Sequence, residues 1–470
     1  MWKIKKVLIS DDIDPVCPAL LSENGIEAVL KSKLSKDELL QEIAQDYDAL
    51  LVRSATKVTK EVIGAGKSLK LIGRAGTGVD NIDVTAATRM GVMVMNTPTG
   101  NSRSAAELTC AMLMSLARSV PQAHQSMKEG KWERKKFMGN EVYGKTLAII
   151  GLGRIGREVA QRMQAFGMQT VGFDPLVSAE ESESFGVRWM SLAEIWPLAD
   201  YVTLHVPLVA ATKHLVNKDV LSKCKNGVKF INCARGGVIS EPDLVQALND
   251  GKCGGAAFDV FLEEPPTYRE LIDHPKVICA PHLGASTTEA QVRVAAEIAE
   301  QIVALNKGQS LLGAVNATCM SDVLDEANGR LVKCAQHLAQ ILRAFCSQQK
   351  VTDIQLSYPK SFAKLERAFK AGVLYGFLKK ASQNGLNLIN AELYASDAGL
   401  SVTCTQSEQP LLLLSVGDER VSGCVSSVGT VFTYYGKGQQ CFPTGLVCHG
   451  TFLIGTTDTG EYTTRYLYKI

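Results

Sequence analysis

The chain has 470 residues, 46% of them hydrophobic and 21% charged, with 50 Lys and Arg against 48 Asp and Glu for a formal net charge of +2. That length and balance describe a globular protein of roughly three domains and exclude the strongly basic footprint of a nucleic-acid binder. No apolar run approaches the ~18 residues of a membrane span, since the most apolar long stretch, ELTCAMLMSLARS, is interrupted by Glu107 and Arg118.

The opening MWKIKKVLISDD is too charged for a secretory signal. The thirteen cysteines are scattered, with no C-x-x-C pair and no Cys/His cluster at zinc spacing. Most sit in apolar stretches (Cys110, Cys233, Cys279), where cysteine acts as a small hydrophobe. The expectation is a reduced, cytoplasmic protein without a metal site, a catalytic cysteine, a membrane anchor or a nucleic-acid partner.

From the N-terminus, KVLIS, ALLVRS, LKLIGRA and VMVMNTP are short β-rich runs, and SKDELLQEIAQ and DVTAATRMG between them are helical. Such alternation predicts a parallel sheet covered by helices. A long helix over 102–118 follows NTPTGNS. Then KTLAII, QTVGFDP, ADYVTLHVP, VKFINCA, GGAAFDV and KVICAP mark a second, larger βα series, closed by a helix over 287–306. From about 310 the character changes. RLVKCAQHLAQILRAFC carries Leu338, Ile341, Leu342 and Phe345 on one face, and QPLLLLSVGD, GTVFTYYGKG and GTFLIGTT are β-rich. This last part reads as a separate α/β or α+β domain without a chemical motif.

In LAIIGLGRIGREVA, Gly151, Gly153 and Gly156 have G-x-G-x-x-G spacing between a strand and a helix, the context the motif requires. Gly151 permits the tight turn, Gly153 lets a pyrophosphate approach the backbone, and Gly156 lets helix and strand close up. The helix N-terminus offers its unpaired N–H groups to phosphate. The next strand ends on Asp174, near the offset of the acid that binds ribose hydroxyls. No arginine follows in DPLVSAEE, where a 2′-phosphate would need one, so NAD is the expected cofactor rather than NADP.

Three further polar residues close successive elements of this series: Arg235 after KFINCA, Glu264 in FDVFLEEPP and His282 after KVICAP. Ligands of open α/β sheets bind beyond the carboxyl ends of the strands, so all three can converge there. Arg235 can grip a carboxylate or carbonyl with its two-pronged fork. His282 can move a proton near neutral pH, and Glu264 can bind the other ring nitrogen, fix the tautomer and raise the imidazole pKa. Gly236 and Gly237 are read as leaving room for substrate and cofactor. Ser240 is expected to cap the helix that follows it.

GLGRIGREVA, ADYVTLHVPLVAAT, NCARGGVIS, AFDVFLEEPP and CAPHLGAST together resemble the successive signatures of the D-isomer-specific 2-hydroxyacid dehydrogenases. VRSATKV, GRAGTGVDN, NTPTGNS and KWERKKFMG are similar to the branch acting on a phosphorylated hydroxy acid, in its extended form. The resemblance implies an α/β fold with two doubly wound parallel-sheet domains, Rossmann-like and flavodoxin-like, and a C-terminal α/β (α+β) intervening domain. It implies a substrate domain of residues 1–98 and 287–308, an NAD domain of 99–286 and a C-terminal domain of 309–470. The implied activity is NAD-dependent oxidation of 3-phospho-D-glycerate to 3-phosphohydroxypyruvate, at the start of L-serine biosynthesis. The alternatives are a glyoxylate or hydroxypyruvate reductase and an NAD-sensing corepressor.

Residue by residue, the resemblance gives Arg235 the substrate carboxylate, Glu264 the support of the histidine and His282 the proton. Thr77, Arg154, Ile155, Asp174, Val206, Cys233, Ala234, Asp259 and the run His282, Leu283, Gly284 and Ala285 would meet NAD, with Arg235 beside it. Arg53, Arg74, Gly76, Gly78 and Asn101 would lie near the substrate's phosphate. Val206 stands where relatives often have threonine, so only a backbone contact to NAD is expected there. A homodimer or homotetramer is implied, with KWERKK reaching toward a neighbouring subunit. No βαββαβ regulatory domain of the ACT kind is expected in the stretch ending TTRYLYKI, and hence no response to serine.

Overall fold

The computed structural model describes residues 3–309, 311–317, 319–346, 350–379, 385–426, 429–436, 439–440, 446–448, 452–456 and 462–467, without the side chains of 345, 426, 429–430 and those from 434 onward. The chain forms two compact units, Met1–Thr97 with Ala295–Ile470, and Pro98–Val294.

The first unit opens with β1 (Lys6–Ile9), β2 (Glu27–Leu30), β3 (Ala49–Val52), β4 (Leu71–Arg74) and β5 (Met93–Met95). They form an all-parallel sheet in the order β2-β1-β3-β4-β5, the flavodoxin-like arrangement. The runs expected as strands are those buried from end to end, ALLV of β3 above all, as a sheet covered on both faces demands. β2 was not legible: EAVL sits at the sheet edge with Glu27 and Leu30 exposed, so it has no continuous apolar run. The helix Lys36–Ile43 starts with a reciprocal capping box between Ser35 and Glu38.

Later in the same unit, the helices Glu326–Phe345 and Glu366–Leu378 bury one face each. They cover a mixed sheet in which Asp353–Pro359 runs parallel to Ser401–Ser407, and Leu412–Val416, Glu419–Ser426 and Gly429–Gly436 follow antiparallel. Leu338 and Leu342 are fully buried and Ile341 packs beside them, while the side chain of Phe345 lies outside the described residues. A Cβ at Gly376 would stand 2.2 Å from the carbonyl oxygen of Gln336, so glycine there sets how closely the two helices approach. Asn387 Nδ2 donates to the carbonyl of Gly91 (2.8 Å), tying this part to the edge of the small parallel sheet.

The second unit holds β6 (Thr146–Ile150), β7 (Gln169–Phe173), β8 (Arg188–Trp189), β9 (Tyr201–Leu204), β10 (Val228–Asn232), β11 (Cys253–Phe258) and β12 (Val277–Cys279). All pairs are parallel, in the order β12-β11-β10-β9-β6-β7-β8. Strand order reverses between β6 and β9, which opens a crevice beyond their carboxyl ends. Side chains alternate between two cores. Ala148, Ile150, Phe230 and Phe258 face the first. Leu147, Ile149, Ile231 and Ala257 face the second, which the helices Ser102–Arg118 and Arg154–Ala165 cover. The helix Val120–Lys128 was not expected; it begins after Ser119, whose φ of 51° breaks the preceding helix. Among the described residues no helix is long and apolar enough to cross a membrane.

Candidate active site

The turn after β6 explains each glycine of its motif. Gly151 has φ +98°, and a Cβ there would stand 2.4 Å from the carbonyl oxygen of His205 at the end of β9. Gly156 would put a Cβ 2.1 Å from the carbonyl of Gly151 and 3.2 Å from Ile149 Cγ2, so only glycine lets the helix sit down on β6. Gly153 differs: a Cβ there would meet nothing within 4 Å, and it begins the helix Arg154–Ala165 with no side-chain cap and no acid in the first turn. The N–H groups of that turn are therefore presented outward with a partial positive charge. Ile155 is half-buried against the second core.

Asp174 follows β7 and is bound to this turn. Its Oδ2 accepts from the backbone N of Leu152 (2.9 Å) and its Oδ1 from that of Leu176 (2.8 Å). Val206 lies across from the glycine turn, its Cγ1 3.1 Å from where a Cβ on Gly151 would stand. His205 is held with its Nε2 3.0 Å from Thr203 Oγ1, and burial pushes its pKa down to about 3, so this imidazole stays neutral.

Beyond β10 the chain makes a compact turn. Asn232, fully buried, accepts from the N of Ala234 (3.1 Å) and donates to the carbonyl of Arg235 (2.9 Å). Cys233 is half-buried and burial pushes its thiol up to about 12, which leaves it an apolar wall element rather than a nucleophile. The Arg235 Nη1 donates to the carbonyl of Ala234 (2.6 Å). The two glycines that follow are not there to admit ligands. A Cβ at Gly236 would stand 1.8 Å from the carbonyl oxygen of Phe261, and Gly237 has φ +78°, so the first accommodates a crossing backbone and the second a left-handed turn. Ser240 likewise does not cap its helix with its side chain; the helix begins instead with Glu241 and a proline in its first turn.

The crossing backbone carries Glu264. Its Oε1 accepts from the N of Phe261 (3.1 Å) and its Oε2 lies 2.6 Å from Nδ1 of His282. Glu241, 7% exposed, supports the same loop by accepting from the N of Leu262 (2.8 Å). His282 itself has φ +54°, a left-handed conformation uncommon for any residue with a side chain. The next two backbone N–H groups hold that turn: Leu283 N donates to Asp259 Oδ1 (2.7 Å) and Gly284 N to Asp259 Oδ2 (2.9 Å). Ala285 ends the turn, its carbonyl accepting from Gln291 Nε2.

Electrostatics match the geometry. The hydrogen bond that His282 donates to Glu264 raises the His282 pKa, against burial and the charge of Arg235, which lower it. Burial raises the Glu264 pKa, but the hydrogen bond and charge of His282 outweigh it and the net shift is downward, helped by Arg235. Burial also raises the Asp259 carboxyl despite its two N–H partners. Arg235, Glu264 and His282 thus feel one another's charge. Nδ1 of His282 is committed to Glu264, which leaves Nε2 as the ring atom able to exchange a proton with a ligand.

The remaining candidates lie in the first unit, apart from Asn101, which begins the helix Ser102–Arg118. Arg53 follows β3 and Arg74 ends the adjacent β4. Arg74 Nε donates to the Arg53 carbonyl (3.2 Å) and its Nη1 to the carbonyl of Gly78. Gly76 lies under the Arg74 guanidinium, and Thr77 donates to the carbonyl of Thr97 (3.3 Å). Asp11 and Asn81 brace this corner: Asp11 Oδ2 accepts from the N of Arg53 (2.6 Å), and Asn81 Nδ2 donates to the Arg53 carbonyl (2.7 Å). Neither had been singled out, and neither had Asn232 or Glu241. A lone polar residue inside the apolar run KFINCA is the one signal that could have pointed to Asn232.

A doubly wound sheet with an outward-facing glycine turn, an acid closing the second strand and a Glu–His pair under the charge of an arginine defines a nicotinamide-dependent dehydrogenase. Residues 110–284 match the family described as D-isomer specific 2-hydroxyacid dehydrogenase, NAD binding domain. The D-3-phosphoglycerate dehydrogenase of Homo sapiens is 53% identical over 405 residues, 86% of this chain and 76% of that one. The protein of the same name from Bacillus subtilis is 44% identical over 401 residues, 84% and 75% of the two chains. Among solved structures, a glyoxylate reductase from Paecilomyes thermophila superposes with a TM-score of 0.61 at 30% identity, covering 66% of this chain and 98% of that one. The chain belongs to the D-isomer-specific 2-hydroxyacid dehydrogenase family, among relatives that are D-3-phosphoglycerate dehydrogenases.

Proposed function

We propose that the chain oxidises 3-phospho-D-glycerate to 3-phosphohydroxypyruvate with NAD, the first step of L-serine synthesis by the phosphorylated route. Relatives of that activity, 53% and 44% identical over most of the chain, support this over a glyoxylate reductase or a corepressor. The cofactor reading fits the residues present. The bare N–H turn at Gly153 suits a pyrophosphate, Arg154 and Ile155 open the same helix, and Asp174 suits a ribose diol while its charge disfavours a 2′-phosphate. NAD when bound supplies the hydride acceptor for C2 of the substrate.

The chain's own residues do the rest. His282 Nε2 takes the hydroxyl proton in oxidation, and Glu264 across Nδ1 stabilises the imidazolium so formed and holds the ring's orientation. Arg235 binds the carboxylate with its fork and keeps C2 in place. Asp259 fixes the backbone that carries His282. Arg53, Arg74 and the N–H groups around Gly76 and Gly78 are the group we assign to the substrate's phosphate. The single observation that carries the mechanism is the 2.6 Å Glu264–His282 pair under the charge of Arg235.

We further propose a cytoplasmic location and self-association. The described cysteines are all free thiols, as expected of a reducing compartment. Val120, Met127, Trp132, Met138 and Tyr143 expose large apolar side chains within one short segment. The deciding assay is NADH formation with 3-phosphoglycerate against unphosphorylated D-glycerate. Strong preference for the phosphorylated acid is expected, and equal rates would refute the assignment of Arg53 and Arg74.

A further inference from the structure

Strand β3 runs out into the segment 53–56, RSAT, and two side chains from elsewhere in the first unit hold both of its ends. Beyond β1 the ladder continues for one more bond, from Ser10 N to the Leu51 carbonyl (3.0 Å), which brings the buried Asp11 beside Arg53. Asp11 Oδ2 accepts from the N of Arg53 (2.6 Å) and of Thr56 (3.2 Å), and its Oδ1 from the Thr56 hydroxyl (2.6 Å). Asn81 Nδ2 donates to the carbonyls of Arg53 and Thr56, at 2.7 Å each. The N–H and C=O groups of both residues are thus taken by one carboxylate and one amide. An acceptor-only side chain serves the N–H groups, and a nitrogen with two hydrogens serves the carbonyls.

This clamp fixes backbone and leaves the cation loose. Arg53 Nη1 lies 3.5 Å from the carbonyl of Asp12, at the limit of a hydrogen bond, and the buried Nε has no hydrogen-bond partner among the described residues. Between the clamped ends, the backbone N–H groups of the exposed Ser54 and Ala55 make no hydrogen bond among the described residues. Arg74 is tied to the same point, because its Nε donates to the Arg53 carbonyl (3.2 Å) that Asn81 also holds. A shift of residue 53 therefore moves both arginines.

We propose that Asp11 and Asn81 are positioning residues that set the preference for a phosphorylated over an unphosphorylated hydroxy acid, an inference that rests on the assignment of Arg53 and Arg74 to the substrate's phosphate. They act through the segment 53–56. With its backbone held in advance, little ordering of the two arginines is left to accompany binding. The contribution of Asp11 is geometric. As a charge it would repel the phosphate, whereas its oxygens are committed to Arg53 and Thr56.

The test assays the full chain for NADH formation with 3-phosphoglycerate and with D-glycerate, below the melting temperature of each variant. Asp11→Ala should raise KM for 3-phosphoglycerate roughly tenfold or more, the worth of a hydrogen bond to a charged group. Its kcat, its KM for NAD and its kcat/KM for D-glycerate should stay within about threefold. A residue that only stabilised the fold would instead reduce the active fraction and cut both substrates alike. Asp11→Asn should restore KM: its amide oxygen can take the two N–H groups and its nitrogen can donate to the Thr56 hydroxyl, which then donates to Ser10 Oγ (3.0 Å). Asn81→Ala should reproduce the selective loss, and it carries the test should Asp11→Ala not fold. A loss shared equally by the two substrates, or Asp11→Asn as poor as Asp11→Ala, overturns the proposal. Arg53→Gln separates this failure from that of the phosphate assignment. If it abolishes the preference while Asp11→Ala keeps it, the clamp alone is wrong. If the native enzyme shows no preference, or Arg53→Gln retains it, the assignment falls and the clamp with it.

Discussion

Replacing Glu264 by Gln keeps an acceptor oxygen for Nδ1–H of His282 and removes the charge, while the amide nitrogen takes the place of the oxygen that accepts from Phe261 N. In the oxidative direction His282 must start neutral to accept the hydroxyl proton. Activity is therefore present above the histidine's pKa and lost as pH falls through it. Glu264 holds that pKa above the ordinary value, chiefly through the 2.6 Å hydrogen bond. Without the carboxylate the pKa drops, so the acid limb of the rate profile must move to lower pH. Hydrogen bonds to charged groups are worth about 1.5–3 kcal/mol and neutral ones about 0.5–1.5 kcal/mol, a difference of roughly 1–1.5 kcal/mol. The two side chains are 47% and 38% exposed, and solvent screening takes about half of that away. At about 1.4 kcal/mol per unit, the limb should shift acid by roughly half a pH unit. The plateau should also fall by about tenfold or more, because the imidazolium formed in the reaction loses its counter-charge. The assay is kcat/KM for NADH formation across pH 5 to 10. An acid limb that stays put, or moves alkaline, refutes the pairing as the source of the histidine's basicity.

Arg235→Lys should fold normally yet lose most of its kcat/KM, since an ammonium cannot form the two-pronged contact; near-native kinetics would remove Arg235 from substrate binding. Asp174→Ala should weaken NAD far more than NADP in fluorescence titrations, and an equal loss for both would mean that the carboxylate serves only to hold Leu152 and Leu176. Glu241→Ala leaves the partly buried N–H of Leu262 without its acceptor, at about 1–3 kcal/mol, and should lower both Tm and kcat, with Glu241→Gln restoring them; if Gln behaves like Ala, the carboxylate acts through its charge and not through that bond. Gly236→Ala drives a Cβ into the Phe261 carbonyl, backbone against backbone, and should cost about 3 kcal/mol in chemical denaturation; an unaffected midpoint would show that the loop yields freely.

The extent to which this site was legible follows from what local sequence can encode. Gly151, Gly153 and Gly156, with Asp174 one strand later, announce themselves because their constraint is the turn of a single βα unit. Arg235 and His282 were legible because each stands just past a run of largely buried apolar residues, where a charge or an imidazole stands out, whereas Glu264, behind exposed Leu262 and Glu263, was legible only through the pattern AFDVFLEEPP. β2 was not, since an edge strand of half-exposed residues has no such contrast. The role of Gly236 was misread for a related reason. Its constraint is the Phe261 carbonyl, contributed by a segment 25 positions further on, and a glycine carries no mark of what approaches it.

Asn232, Glu241 and Asp259 complete that reasoning from the opposite side. Each is a buried polar group, 1%, 7% and 0% exposed, and each satisfies its oxygens on backbone N–H groups of the loops that bear Arg235, Glu264 and His282. Burying such groups costs free energy that the fold recovers only while those particular hydrogen bonds exist. The three loops are therefore fixed by penalties that act if they move, rather than by apolar packing that would tolerate a shift. That is the stiffness a proton transfer needs from a histidine held at φ +54°, with its side chain 47% exposed and the N–H groups of the next two residues pinned to the Asp259 carboxylate.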